Sequence, residues 1–130
     1  MNFNHAMIYA RDVGKALAFY RDRLGLILLQ EVGHGGMIVY ARLRSPGGDS
    51  TIALHVLERG AELATGGVRL YFEIEDLEGV VARLQAEGVT FSKLPAVMPW
   101  GWKHAYLDDP DGHEVSLYWA GEKRLERSTA

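Results

Sequence analysis

The feature that most limits how this chain can fold is an internal repeat. Slid against itself by 64 residues, it matches Met7 with Tyr71, Ile8 with Phe72, Ala10 with Ile74, Asp12 with Asp76, Ala18 with Ala82 and Tyr20 with Leu84. The same offset superimposes the turns Pro46-Gly47-Gly48 and Pro110-Asp111-Gly112, and an offset of 63 places Ile52-Ala53-Leu54-His55 on Val115-Ser116-Leu117-Tyr118. Self-similarity at a long period means repeated supersecondary units. A unit of this length buries little alone, so two should join in one domain spanning residues 1–120. Module one covers 1–60, a linker 59–67, module two 67–120, and a polar tail 121–130 follows.

Each copy reads β-α-β-β-β. In the first, His5 to Ala10 alternates as a strand. Asp12 is positioned as an N-cap, and Val13, Leu17, Tyr20 and Leu24 form one helical stripe that Gly25 ends. Leu26–Val32 and Met37–Leu43 make a hairpin through His34-Gly35-Gly36, and Thr51–Leu57 closes the unit. In the second copy the strand is Val68–Glu75 and the helix Leu77–Glu87, with Val80, Val81 and Leu84 inward. A strand over Val89–Leu94 precedes a final hairpin. That hairpin turns at Asp109-Pro110-Asp111-Gly112, where Pro presets φ, Asp bonds back to main chain and Gly supplies a positive φ.

Composition narrows the partners. A net charge of −3 and a pI near 5.9 give no basic footprint for nucleic acid or an anionic membrane. The absence of cysteine removes disulfides, thiolate nucleophiles and sulfur-ligated metals. No stretch has the apolar length of a signal core or a membrane span, so the expected location is cytoplasmic. Phosphate loops, the G-x-S-x-G elbow and a helical H-E-x-x-H are also missing.

The phrases HAMIYARDVGKALAFYRDRLGL and AYLDDPDGHEVSLYW resemble the opening and closing motifs of the vicinal oxygen chelate superfamily, which includes glyoxalase I, fosfomycin and bleomycin resistance proteins and extradiol dioxygenases. The resemblance spans roughly residues 3–119. It implies an α+β fold of two tandem βαβββ modules forming a curved mixed sheet around a cleft, commonly in a homodimer. It fixes no reaction, because members share a scaffold and differ in chemistry.

Metal-using relatives place ligands on the first and last strands of each module, and the matching positions here are His5, Ala53, Arg69 and Ser116. Only His5 is an ordinary ligand: alanine offers no atom, serine is weak and arginine carries a permanent positive charge. The expectation is therefore no metal cofactor. The alternative is a divalent ion (Zn, Ni, Fe or Mn) held by a rearranged set of His5, His55 and Glu114.

Period-two alternation then lists what shares the cleft face. His5 brings Met7 and Tyr9, Arg69 brings Tyr71 and Glu73, Ala53 brings His55, and Ser116 brings Glu114 and Tyr118. The opposite face, with Ile8, Phe72, Leu54, Val115 and Leu117, is a helix-facing core, and a one-residue slip would exchange the two. His104 and Tyr106 lie on the cleft face of the last hairpin. Trp100 and Trp102 precede it as a hydrophobic lid or a dimer contact. Arg69 either pairs with Glu73 or Glu114 or clamps an anion.

Two classes of function fit. One is a metal-free protein binding an anionic or aromatic metabolite or drug through His55, Arg69, Tyr71, Trp100, Trp102, Glu114, Ser116 and Tyr118. The other is an enzyme, a lyase, isomerase or dioxygenase, with His5, His104 and Tyr106 as candidate catalytic groups.

Overall fold

The computed structural model describes residues 1–127 and divides into two compact units at Ala64/Thr65, inside the expected linker. The first unit contains β1 (His5–Ala10), α1 (Val13–Leu17), a π-helical turn (Ala18–Arg23), β2 (Ile27–His34), β3 (Met37–Arg44) and β4 (Thr51–Val56). The second contains β5 (Arg69–Glu73), α2 (Leu77–Ala86), β6 (Lys93–Val97), β7 (Lys103–Asp108) and β8 (Glu114–Trp119), followed by a short 3-10 helix (Gly121–Leu125). Residues 128–130 of the polar tail lie outside the described residues.

The strand orders are β1-β4-β3-β2 and β5-β8-β7-β6, the same order in each copy. β1 runs parallel to β4 and β5 parallel to β8, and the other pairs are antiparallel. Both expected modules are therefore present, each as a four-stranded mixed sheet with its own helix. The parallel pairs are possible because the chain between their strands is long enough to cross over.

Helix starts follow the sequence. Asp12 Oδ1 accepts from Lys15 N at 3.1 Å, and Asp76 Oδ1 accepts from Gly79 N at 3.2 Å, satisfying first-turn donors that the helix cannot. The interiors follow too. Ile8, Leu54, Leu107, Val115 and Leu117 are buried, as are Leu77, Val81 and Leu84 of α2. Burying each such side chain contributes about 1.5–3 kcal/mol against leaving it in water.

Two expected elements differ. The helix drawn from Val13 to Leu24 changes after Leu17 to π geometry, with Leu24 N bonding Phe19 O at 3.1 Å. The adjacent rings of Phe19 and Tyr20 on this turn are both buried and pack edge to face at 4.9 Å. The strand expected at Val89–Leu94 instead occupies Lys93–Val97 and includes Pro95. Proline has no N–H to donate, and this strand tolerates it because β6 is the sheet edge and its ladder slips between Lys93 and Ala96.

Candidate functional site

Sheet register decides which side chains meet. Across β7 and β8, His104 is opposite Tyr118, Tyr106 opposite Ser116 and Asp108 opposite Glu114. Across β5 and β8, Arg69 is opposite Glu114 and Tyr71 opposite Ser116. Cross-strand partners project to the same face. The second unit thus gathers Arg69, Tyr71, His104, Tyr106, Glu114, Ser116 and Tyr118 on one surface.

The hairpin that carries them is held at its turn by Asp109, whose Oδ1 accepts from Asp111 N and His113 N, both at 2.9 Å. Gly112 reverses the chain at φ +89°. At the other end of β7, Met98 and Trp102 close a loop by backbone bonding at 2.7 Å, with Gly101 at φ +92°. Only glycine adopts that conformation without strain. The rings of Trp100 and Trp102 both come back to His104, 5.8 and 6.0 Å away between centroids.

His104 is the centre of this aromatic cluster. Its ring is stacked with Trp102 and Tyr118 at interplanar angles of 13° and 23°, and Tyr71 meets it edge-on at 5.4 Å. The residue is 1% exposed. Nδ1 lies 3.2 Å from Ser116 Oγ, and Nε2 is buried with no hydrogen-bond partner among the described residues. Burial foremost, then the positive charges of Arg69 and Lys93, lowers its pKa below the ordinary imidazole value, so the ring is neutral at neutral pH.

Arg69 forms the charged margin. Its Cζ sits 4.2 Å from the centroid of Tyr106, a cation–π distance, and Nη2 is 3.5 Å from Glu114 Oε1. The hydroxyl of Tyr71 and the carboxylate of Glu114 hold the guanidinium firmly charged. Its Nε, however, is buried and has no partner among the described residues. Lys93 also approaches Tyr106, at 5.8 Å. Burial raises the Tyr106 and Tyr118 phenols above the usual tyrosine range, so both keep their protons.

The two remaining candidates lie in the first unit. His5 Nδ1 is 2.7 Å from Thr51 Oγ1, and His55 Nδ1 is 2.7 Å from Val56 O, with Tyr9 and Tyr40 edge-on to the His55 ring. The parallel register pairs His5 with Thr51 and Tyr9 with His55. His5 and His55 are therefore four residues apart along adjoining strands, about 13 Å. Two imidazoles standing on one sheet face at that spacing cannot converge on one ion about 2.1 Å from each nitrogen. Within the first unit, His5 and His55 therefore do not share one ion. The family ligand positions fare no better chemically: Ala53 has no donor atom, Arg69 is cationic and the Ser116 hydroxyl is engaged by His104. Among the described residues, no three His, Asp or Glu side chains group as ligands.

Alternation missed two interactions of this module. Glu73 meets Arg124 of the terminal 3-10 helix at 3.7 Å, and Lys103 bonds Glu78 of α2. The partner of Glu73 lies beyond the repeat, so the duplication carried no signal for it.

Comparison with known proteins agrees with this architecture. The family model described as the Glyoxalase/Bleomycin resistance protein/Dioxygenase superfamily matches residues 2–117. A probable lactoylglutathione lyase of Synechocystis is 25% identical over 126 residues, covering 92% of this chain and 96% of its own. The uncharacterized Escherichia coli protein YaeR is 30% identical over 121 residues, covering 88% and 93%. A crystal structure of a superfamily member from Sphaerobacter thermophilus superimposes with a TM-score of 0.73 at 28% identity, covering 92% of this chain and 98% of that one. With the motif match running over nearly its whole length and both βαβββ modules in place, the chain belongs to the glyoxalase/bleomycin resistance protein/dioxygenase superfamily.

Proposed function

We propose that the polar face of the second module binds an anionic aromatic small molecule, without a divalent ion at His5, Ala53, Arg69 and Ser116. The observation that carries this reading is Arg69: a fixed cation beside a cluster of six aromatic rings, with a buried N–H that finds no partner among the described residues. A buried donor left unpaired costs about 1–3 kcal/mol. A ligand oxygen would remove that cost, while the rings of Trp100 and Trp102 offer apolar area worth about 25 cal/mol per Å² covered.

A metal-dependent lyase or dioxygenase is the second reading. His5 favours it, because Thr51 holds its Nδ1 in the way that a supporting hydrogen bond orients a ligating imidazole. The name of the Synechocystis relative points the same way. A homodimer is also proposed. β2 lies at a sheet edge and exposes Ile27, Leu29 and Val32, and such edges invite covering.

Calorimetry separates the two chemical readings. Benzoate should bind at least about tenfold more tightly than benzamide, the worth of one charge-assisted hydrogen bond over a neutral one. Nickel, zinc, ferrous and manganous ions should give no submicromolar heat. Equal affinity for the acid and the amide would overturn the anion reading. Stoichiometric submicromolar metal binding lost in His5→Ala would establish the metal-dependent one.

A further inference from the structure

The duplication sets one cross-strand pair in both modules with its members exchanged. Tyr40 matches His104 at an offset of 64 and His55 matches Tyr118 at 63, so the pair that is Tyr40 opposite His55 on β3 and β4 returns as His104 opposite Tyr118 on β7 and β8. The two histidines differ in access. His104 is closed off by its aromatic neighbours, whereas His55 is half-buried on a sheet face where Tyr9, beside it, is 46% exposed.

Register gives its surroundings. Tyr9, His55 and Tyr40 stand opposite one another on β1, β4 and β3, and both tyrosine rings meet the imidazole edge-on, at 5.9 and 6.4 Å. Nδ1 is 2.7 Å from Val56 O. A carbonyl oxygen only accepts, so in the neutral ring the proton is on Nδ1 and the lone pair on Nε2. Nε2 has no hydrogen-bond partner among the described residues, and unlike Nε2 of His104 it is not closed to solvent. The next row of this face is Met7, Ala53, Arg42 and Gln30, which puts Arg42 diagonal to His55, roughly 7–8 Å away. Neither row holds a second histidine or any carboxylate, so Nε2 lacks the co-ligands that an ion needs.

We infer that His55, flanked by Tyr9 and Tyr40, is the hydrogen-bond acceptor of a site for an uncharged aromatic molecule carrying an O–H or N–H donor. The site belongs to the first module and is separate from the anion site proposed on the second. The donor of the ligand bonds Nε2, its ring meets the edges of the two tyrosines, and the fixed charge of Arg42 disfavours donors that are cations. Because the group that selects the tautomer is main chain, the acceptor is set by the strand itself.

The test combines imidazole nitrogen NMR at about pH 8, above the ordinary imidazole range, with calorimetry on phenol and anisole, which differ in the donor. The expected result is a protonated Nδ1 and an unprotonated Nε2 for His55, with the Nε2 signal moved by phenol and left in place by anisole and by benzylammonium. Phenol should bind severalfold more tightly than anisole, the worth of one hydrogen bond. His55→Phe, which keeps a ring at this position, should bring the two affinities together. An Nε2–H tautomer, a His55 signal that phenol does not move, or an unchanged preference for phenol in His55→Phe would overturn the site. A shift with benzylammonium as large as that with phenol would remove Arg42 from it.

Discussion

Replacing Arg69 by methionine should separate binding from stability, because the contributions of this residue to the fold nearly cancel. Its ion pair with Glu114 spans 3.5 Å between side chains 33% and 38% exposed, so solvent screening limits it to about 0–1 kcal/mol. The contact over Tyr106 at 4.2 Å adds about 0.5–1 kcal/mol. Against these stands the buried, unsatisfied Nε, whose removal returns about 1–3 kcal/mol. Methionine replaces the aliphatic stem with a flexible chain of similar reach. The net change in unfolding free energy is expected within about 1 kcal/mol of zero. Benzoate binding, by contrast, should fall at least about tenfold through loss of a charge-assisted hydrogen bond. Urea denaturation gives the first quantity and calorimetry the second. Destabilisation beyond about 3 kcal/mol, the range of a large core truncation, would show that Arg69 is there to hold the fold.

The depressed pKa of His104 links stability to pH. Its unfolded value is 6.5 and its folded value lower, so the unfolded chain takes up the proton first. The contribution is complete above 6.5 and is lost as pH falls through 6.5 toward the folded value. Urea midpoints for the unmodified protein should therefore drop below pH 6.5 more steeply than those of His104→Phe, and parallel curves would refute the assignment. Sedimentation equilibrium should report a dimer at micromolar concentrations, and a monomer there would remove the homodimer.

Much of the fold was legible because duplication imposes the same hydrophobic period twice. Matched pairs such as Ile8 with Phe72 and Leu54 with Leu117 fixed strand faces that single strands leave ambiguous, and Asp12 and Asp76 marked both helix starts. The π-helical turn was not legible, since the choice between α and π spacing at Phe19-Tyr20 depends on how both rings pack. Nor was β6, where Pro95 reads as a strand breaker until the strand is known to be an edge. For the site, alternation placed His104, Tyr106, Ser116 and Tyr118 on one face. It could not show that the aromatic rings bury His104 almost completely, or that Ser116 turns inward to its Nδ1. The spacing of His5 and His55 was hidden for a related reason. Shared face was readable, but the four-residue offset between them appears only with the parallel register.

The central claim, a metal-free anion site on the second module, is tested most directly by a crystal structure of the protein grown with benzoate and with nickel, using anomalous scattering to locate the ion. The expected result is a carboxylate on the Arg69 guanidinium, its ring against the Trp100 and Trp102 cluster, and no anomalous peak at His5, Ala53, Arg69 or Ser116. An ordered nickel ion coordinated by His5, with benzoate absent from Arg69, would contradict it.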